Sequence, residues 1–200
     1  PTVWQMLLGH LSANNLKLST MRRTVIGGSA CPPAMMDAFR DQYNVTVYHA
    51  WGMTEMSPLG TYGNLKGKHM DADWPTQRAL LLKQGRAVFG VDMKVVDPEG
   101  NELARDGVAS GDLMVRGSWI VKEYFKGDGG QILDKDGYFG TGDVATLDPD
   151  GFMQITDRSK DVIKSGGEWI SSIDVENIAM AHPAVMMAAC IGVKHPKWDE

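Results

Sequence analysis

Two hundred residues, 43% of them apolar, are enough to bury a substantial core in one domain, or in one domain with a small appendage. Twenty basic side chains against 25 acidic ones give a net charge of −5 without a basic cluster, which excludes an extended nucleic-acid footprint. Cys31 and Cys190 stand outside any Cys-x-x-Cys or Cys/His spacing, which argues against a disulfide framework or zinc site and fits a reducing, cytoplasmic setting with two buried free thiols.

In chain order, Val3 to Leu16 carries apolar residues at helical spacing, and Arg23-Thr-Val-Ile26 is a short β-branched run that meets the turn Gly27-Gly28. Pro32-Pro33 suits a helix first turn, so a helix over Ala34 to Tyr43 leads into a second strand over Val45 to Tyr48. Such a β-α-β crossover makes its two strands parallel. The loops Gly27-Gly-Ser-Ala30 and His49-Ala-Trp-Gly-Met-Thr-Glu55 then lie at the carboxyl edge of the sheet, where open α/β sheets bind ligands.

From Gly85 the texture changes to short strand-like runs separated by turns: Val91 to Val96, Asp112 to Arg116 and Gly137 to Thr146. Past Asp157-Arg-Ser-Lys160 come a strand-like Val162-Ile163, a Ser-Gly-Gly turn, and a helix from about Ser172 to Ala181 with Ser171 or Ser172 as its N-cap. A buried strand is expected over Ala184 to Val193, an apolar run well short of the roughly 20 residues that span a bilayer. The chain opens at Pro1 without a signal peptide and closes in the charged run Lys197-Trp-Asp-Glu200, as an excised piece of a longer protein would.

Neither a Walker-type phosphate loop nor a Gly-x-Gly-x-x-Gly turn is present, so any nucleotide must be held otherwise. Trp51 to Glu55 combines an aromatic face for a base, a threonine hydroxyl for a phosphate oxygen and a carboxylate for Mg²⁺. Alone it reads more readily as a capped turn with a packed tryptophan. Asp143, presented from Thr141-Gly-Asp143, has the geometry to accept two hydrogen bonds from a ribose diol, although Thr-Gly-Asp is also a common plain turn.

Taken together these segments resemble the adenylate-forming enzymes, the superfamily of acyl-CoA synthetases, firefly-type luciferases and peptide-synthetase adenylation domains. Gly27-Gly-Ser-Ala30 looks like the adenine-side loop and Trp51-Gly-Met-Thr-Glu55 like the aromatic-Gly-x-Thr-Glu motif. Ser110-Gly-Asp-Leu-Met-Val-Arg-Gly117 with Tyr124-Phe125 is similar to the Gly-Glu-Leu segment, with Asp112 for the commoner Glu. Tyr138 to Asp143 is similar to the Tyr-x-Thr-Gly-Asp motif, and Asp157 to Glu176 to the hinge and glycine loop. The wording Ile163-Lys-Ser-Gly-Gly-Glu-Trp-Ile-Ser-Ser172 is nearest to medium- and long-chain fatty-acid–CoA ligases.

The resemblance implies an α/β fold. Residues 1–157 form the last part of a large AMP-binding domain, with 1–84 parallel α/β and 85–157 mostly β; a hinge at 158–160 leads to the start of a small α+β C-terminal domain over 161–200. It further implies an acid–thiol ligase that joins a carboxylic, fatty-type acid to coenzyme A with ATP and Mg²⁺. Gly28, Ser29 and Ala30 border the adenine, Trp51 stacks on it, Gly52 and Met53 face the acyl group, Thr54 contacts phosphate, and Glu55 holds Mg²⁺, Thr54 and Glu55 being the catalytic pair. Asp143 binds the ribose with help from Arg158, Lys160 lies at the hinge, and Gly166-Gly167 lines the pantetheine channel. The phosphate loop and the catalytic lysine of the family have no counterpart within these 200 residues, so the piece alone is expected to be inactive. Transfer of the acyl group to a carrier protein, and a non-catalytic nucleotide-binding module, are the competing readings; a homodimer and the acyl-chain length stay open.

Overall fold

The computed structural model describes residues 1–165, 168–180, 182, 184–185 and 187–196. Helix α1 (Thr2–Ala13) ends three residues short of the expected Leu16, because the Asn14 N–H bonds back to His10 O and the Leu16 N–H to Leu11 O. Strand β1 (Arg23–Ile26) matches its β-branched run, and α2 (Pro33–Tyr43) opens with Pro33 in its first turn and closes at Asn44 in the left-handed conformation, φ +54°. Proline lacks only an N–H that a first turn leaves unused, and asparagine tolerates the left-handed stop better than most residues.

Strand β2 (Thr46–Gly52) lies parallel to β1, in register Arg23↔Thr46 through Ile26↔His49. The expected crossover is therefore present, but β2 extends four residues beyond Tyr48 and takes in His49, Ala50, Trp51 and Gly52. The reason is a partner that sequence patterning did not reveal: β3 (Leu59–Tyr62) pairs antiparallel with β2, and α3 (Trp74–Leu82) leads to β4 (Arg86–Ala87), which pairs antiparallel with β3. The sheet order is β1-β2-β3-β4, so the α/β class holds while only the first pair of strands is parallel.

The remaining strands are β5 (Val91–Val96), β6 (Ser110–Gly117), β7 (Phe139–Leu147) and β8 (Met153–Arg158), which form a second four-stranded sheet in chain order, with β6 and β7 antiparallel. The antiparallel pair β9 (Ile163–Ser165) and β10 (Glu168–Ile170) precedes α4 (Ser172–Met180). The Asp174 N–H donates to Ser171 Oγ at 3.1 Å, which identifies Ser171 as the side-chain cap. The described residues of 184–193 form no strand, and Met187, Ile191 and Val193 are exposed. An extended run needs a ladder partner, and β9 and β10 pair with each other. For the same reason Cys190 is only half-buried, whereas Cys31 is buried as expected.

Two compact units result. The first holds residues 1–92, 117–121 and 150–153; the second holds 93–116, 122–149 and the described residues from 154 onward. In the first, Met35, Met36, Phe39 and Tyr43 of α2 pack with Ile26, Val45, Val47 and Leu81, and Trp4 of α1 meets Phe39 edge-on at 5.9 Å. Arg78 of α3 grips Asp37 of α2 through two bonds of 2.7 Å. In the second, Leu113 and Val115 of β6 alternate inward with Val95, Val144 and Leu147.

Asp150 gathers Lys68 Nζ at 2.7 Å, Lys66 Nζ at 3.2 Å and His69 Nε2 at 3.1 Å within the first unit. The hydrogen bond from Lys68, followed by that from Lys66, holds its carboxyl well below the usual carboxylate range. A folded-state pKa below the unfolded value of about 3.9 contributes stability that is complete above that value and lost as the pH falls through the folded one. The stability advantage of the wild type over D150N should therefore shrink between about pH 5 and about pH 2.5 in urea unfolding; a gap that stays constant over that range would contradict the cluster's role.

Candidate functional site

Strand β1 ends at Ile26 and turns at once through Gly27 and Gly28. A Cβ on Gly27 would stand 3.0 Å from Ala50 O, and Gly28 adopts φ +84°, so the turn needs glycine at the first position for close approach and at the second for its backbone. The turn therefore runs against β2, with Gly28, Ser29 and Ala30 exposed.

His49 is the link between the two segments, a role that sequence reading passed over because a lone histidine on an apolar strand carries no pattern. Its ring is 1% exposed, with Nε2 at 3.2 Å from Ser29 O and Nδ1 at 3.2 Å from Leu82 O. Burial pushes its pKa below the ordinary histidine value, which favours the neutral ring. One ring N–H donates to a carbonyl, and Gln84 Nε2 approaches Nδ1 at 3.5 Å.

Trp51 follows two residues later and is half-buried. Its ring lies against Gly60 of β3, where a Cβ would come 2.7 Å from Cζ3, and the β2–β3 register shifts between Trp51 and Gly52. Gly52 passes so close to the Ser57–Pro58 segment that a Cβ there would be 1.8 Å from Pro58 O. The chain then enters a single 3-10 turn over Thr54–Met56, with Met56 fully buried, Thr54 exposed, and Met53 and Glu55 half-buried. Residues 117–121 brace this turn from outside: the Val121 N–H donates to Glu55 O at 2.8 Å, Ser57 Oγ to Trp119 O at 3.2 Å, and Trp119 Nε1 to Leu59 O at 3.3 Å. Nothing in the local sequence around Glu55 announces that brace, since its partners lie some sixty residues away.

The first unit thus brings Gly28, Ser29, Ala30, Trp51, Gly52, Met53, Thr54 and Glu55 to the ends of two adjacent parallel strands. Among the described residues there is no group of three or more His, Cys, Asp or Glu able to hold a metal on its own. A single carboxylate on a turn, as at Glu55, suits Mg²⁺, which fills most of its shell with phosphate oxygens and water.

The second unit carries the remaining expected residues. Thr141 Oγ1 donates to Leu113 O at 2.9 Å and accepts the Asp143 N–H at 3.2 Å, while Gly142 takes φ +76°, so the Thr-Gly-Asp turn is held to β6. Asp143 is largely buried, and Arg158 Nε approaches its Oδ1 at 3.8 Å from an exposed position. The Ser159 N–H bonds to Gly142 O at 3.0 Å, and Lys160 is exposed. Gly166 and Gly167 lie outside the described residues.

A model of the family described as AMP-binding enzyme matches residues 1–125. The chain is 58% identical over its full length to the 3-methylmercaptopropionyl-CoA ligase of Ruegeria lacuscaerulensis, covering 37% of that protein. It is 51% identical over its full length to the medium-chain-fatty-acid–CoA ligase of Ectopseudomonas oleovorans, covering 36% of it. Its fold matches the o-succinylbenzoate CoA synthetase of Bacillus subtilis in complex with its acyl-adenylate intermediate, with TM-score 0.78 and 27% identity over 98% of this chain and 38% of that one. The chain thus spans little more than a third of the length of these relatives.

The 1.8 Å separation at Gly52 involves backbone on both sides, so relief requires the β2–β3 turn to move. Gly52→Ala is expected to lose about 1–3 kcal/mol of unfolding free energy in a urea titration, and a loss below about 0.5 kcal/mol would show that the turn yields freely.

Proposed function

The chain belongs to the AMP-binding enzyme family, and from that premise we propose that its full-length protein is an acid–thiol ligase that joins a carboxylic acid to coenzyme A through an acyl-adenylate. The observation that carries this reading is the end of β2. There Trp51, Thr54 and Glu55 leave a strand parallel to β1, beside the glycine turn that His49 ties to it. That is the edge at which α/β sheets bind ligands. The similarity to ligases of 3-methylmercaptopropionate and medium-chain fatty acids supports a flexible aliphatic carboxylate as the acid.

In the first step a carboxylate oxygen attacks the α-phosphorus of ATP and pyrophosphate leaves. In the second the thiol of coenzyme A attacks the acyl carbonyl and AMP leaves. Trp51 offers its ring to the adenine, while Gly28, Ser29 and Ala30 border the base. Thr54 donates its hydroxyl to a phosphate oxygen, and Gly52 and Met53 border the acyl group. Asp143 accepts the two ribose hydroxyls, and Arg158, approaching the same carboxylate, assists. Glu55 is the residue that would hold Mg²⁺, which when bound offsets the negative charge shared by the carboxylate and the polyphosphate. These groups orient the reactants and stabilise developing charge rather than supply a covalent step. Lys160 serves as the hinge about which the part of the chain beyond it swings between the two steps.

A cytoplasmic location accords with this chemistry, and no helix among the described residues is long and apolar enough to cross a membrane. The acceptor is the most exchangeable part of the reading, because a carrier-protein thiol would use the same adenylate; a panel of acceptors offered to the full-length enzyme distinguishes the two.

Full-length protein should catalyse carboxylate-dependent ATP–pyrophosphate exchange, and Glu55→Gln should lower that exchange about 100-fold. Asp143→Asn should raise the KM for ATP about tenfold. Residues 1–200 alone should show no exchange. A full-length enzyme without exchange, or an E55Q variant as active as the wild type, would overturn the assignment.

A further inference from the structure

Asp157 takes no part in the nucleotide contacts described above, yet it is a carboxylate only 2% exposed, placed immediately before the hinge. Three donors meet it. The Arg158 N–H lies at 2.7 Å from Oδ1, the Ser172 N–H at 2.7 Å from Oδ2, and Ser172 Oγ at 3.1 Å from Oδ1. Ser172 is itself buried and is the first residue of α4, whose amino end carries partial positive charge. One position earlier on each strand of the contact, Ser171 Oγ donates to Thr156 O while accepting the Asp174 N–H that caps the same helix. Between these two stitches, in the hinge itself, Ser159 Oγ donates to Asp112 Oδ1 at 2.6 Å.

All of these residues belong to the second unit, and the bonds join the chain before residue 158, or β6, to the hinge and to the helix beyond it. A swing about residues 158–160 that carries α4 away from β8 must break the pair of bonds to Asp157. A buried carboxylate stripped of its donors is strongly disfavoured until water reaches it, so the clasp weights one hinge state over the other. The Ser159 bond to a charged oxygen adds to the same bias, since such bonds are about twice as strong as neutral ones.

We infer that Asp157 with Ser172, seconded by Ser159 with Asp112, is a clasp that holds one of the two hinge states and so sets the balance between adenylation and thioester formation. These are positioning residues, acting through Arg158 and Lys160, and the inference rests on the two-step, swinging-domain reading above. The variants D157N, S172A and S159A in the full-length enzyme test it, with the two half-reactions assayed separately: carboxylate-dependent pyrophosphate exchange, and thioester formation from preformed acyl-adenylate and coenzyme A. The ratio of the two rates is expected to shift about tenfold in D157N and S172A, and by a smaller factor in the same direction in S159A. S172T, which keeps the hydroxyl, should restore the wild-type ratio. S159A alters an exposed side chain and decides the matter if D157N fails to fold. Half-reactions that fall by the same factor, or do not change, leave the ratio unaltered and overturn the clasp while the ligase reading stands. A wild-type enzyme that performs neither half-reaction overturns both.

Discussion

The parallel pairing of β1 with β2 is the constraint on which the candidate nucleotide site depends. A crossover through α2 brings the carboxyl ends of both strands to the same edge, and residues more than twenty positions apart in the chain become neighbours there. The pairing alone would leave two loosely related loops. Close backbone contact of Gly27 with Ala50 and the buried ring of His49, reaching Ser29 O, convert them into one surface. Stability and site geometry are therefore the same feature in this part of the molecule: the helix that closes the crossover also supplies Met36 and Phe39 to the core.

A second consequence concerns rigidity. The proposed adenine and metal residues sit on a strand and a tight 3-10 turn, with one backbone hydrogen bond from Val121 and side-chain bonds involving Ser57 and Trp119 holding the turn from the far side. Sites built on regular elements hold their geometry better than sites on free loops, which suits chemistry carried by orientation and charge. The proposed hinge residues sit differently. Arg158, Ser159 and Lys160 are exposed, and a small set of polar bonds from Arg158 and Ser159 to Asp112, Gly142, Asp143 and Asp157 ties the segment down. Polar bonds that can be exchanged for water suit a segment that must move, whereas a packed apolar core would not release it.

The crossover was legible in the sequence because several local signals agree on it. The β-branched runs, Pro32-Pro33 at a helix start and glycines at a strand end each point to the same element in the same place. Strands β5, β6 and β7 were legible for similar reasons, as short runs separated by turns, whereas β4 and β8 carry no such run and were not singled out. What escaped was structure whose cause is distant. Strand β3 is made by its pairing with β2, and that pairing extends β2 through Trp51, which local pattern assigned to a loop. Helix α3 carries an N-cap at Asp73 and a proline in its first turn, a readable signature, though its nine residues show weak periodicity. The run Ala184 to Val193 failed in the opposite sense: its composition suits a buried strand, and no ladder partner meets it among the described residues. His49 and the Trp119 to Val121 brace were invisible because their partners are far along the chain.

Trp51, Asp143 and Glu55 are proposed to supply the base, ribose and metal contacts of an adenylating site. A crystal structure of the full-length enzyme with a non-hydrolysable acyl-adenylate mimic tests this assignment most directly. The expected result is the Trp51 ring stacked on adenine, both ribose hydroxyls within hydrogen-bond distance of the Asp143 carboxylate, and Glu55 facing the phosphate position. Adenine bound away from the ends of β1 and β2, with Trp51 still packed against Gly60 and no ligand upon it, would contradict it.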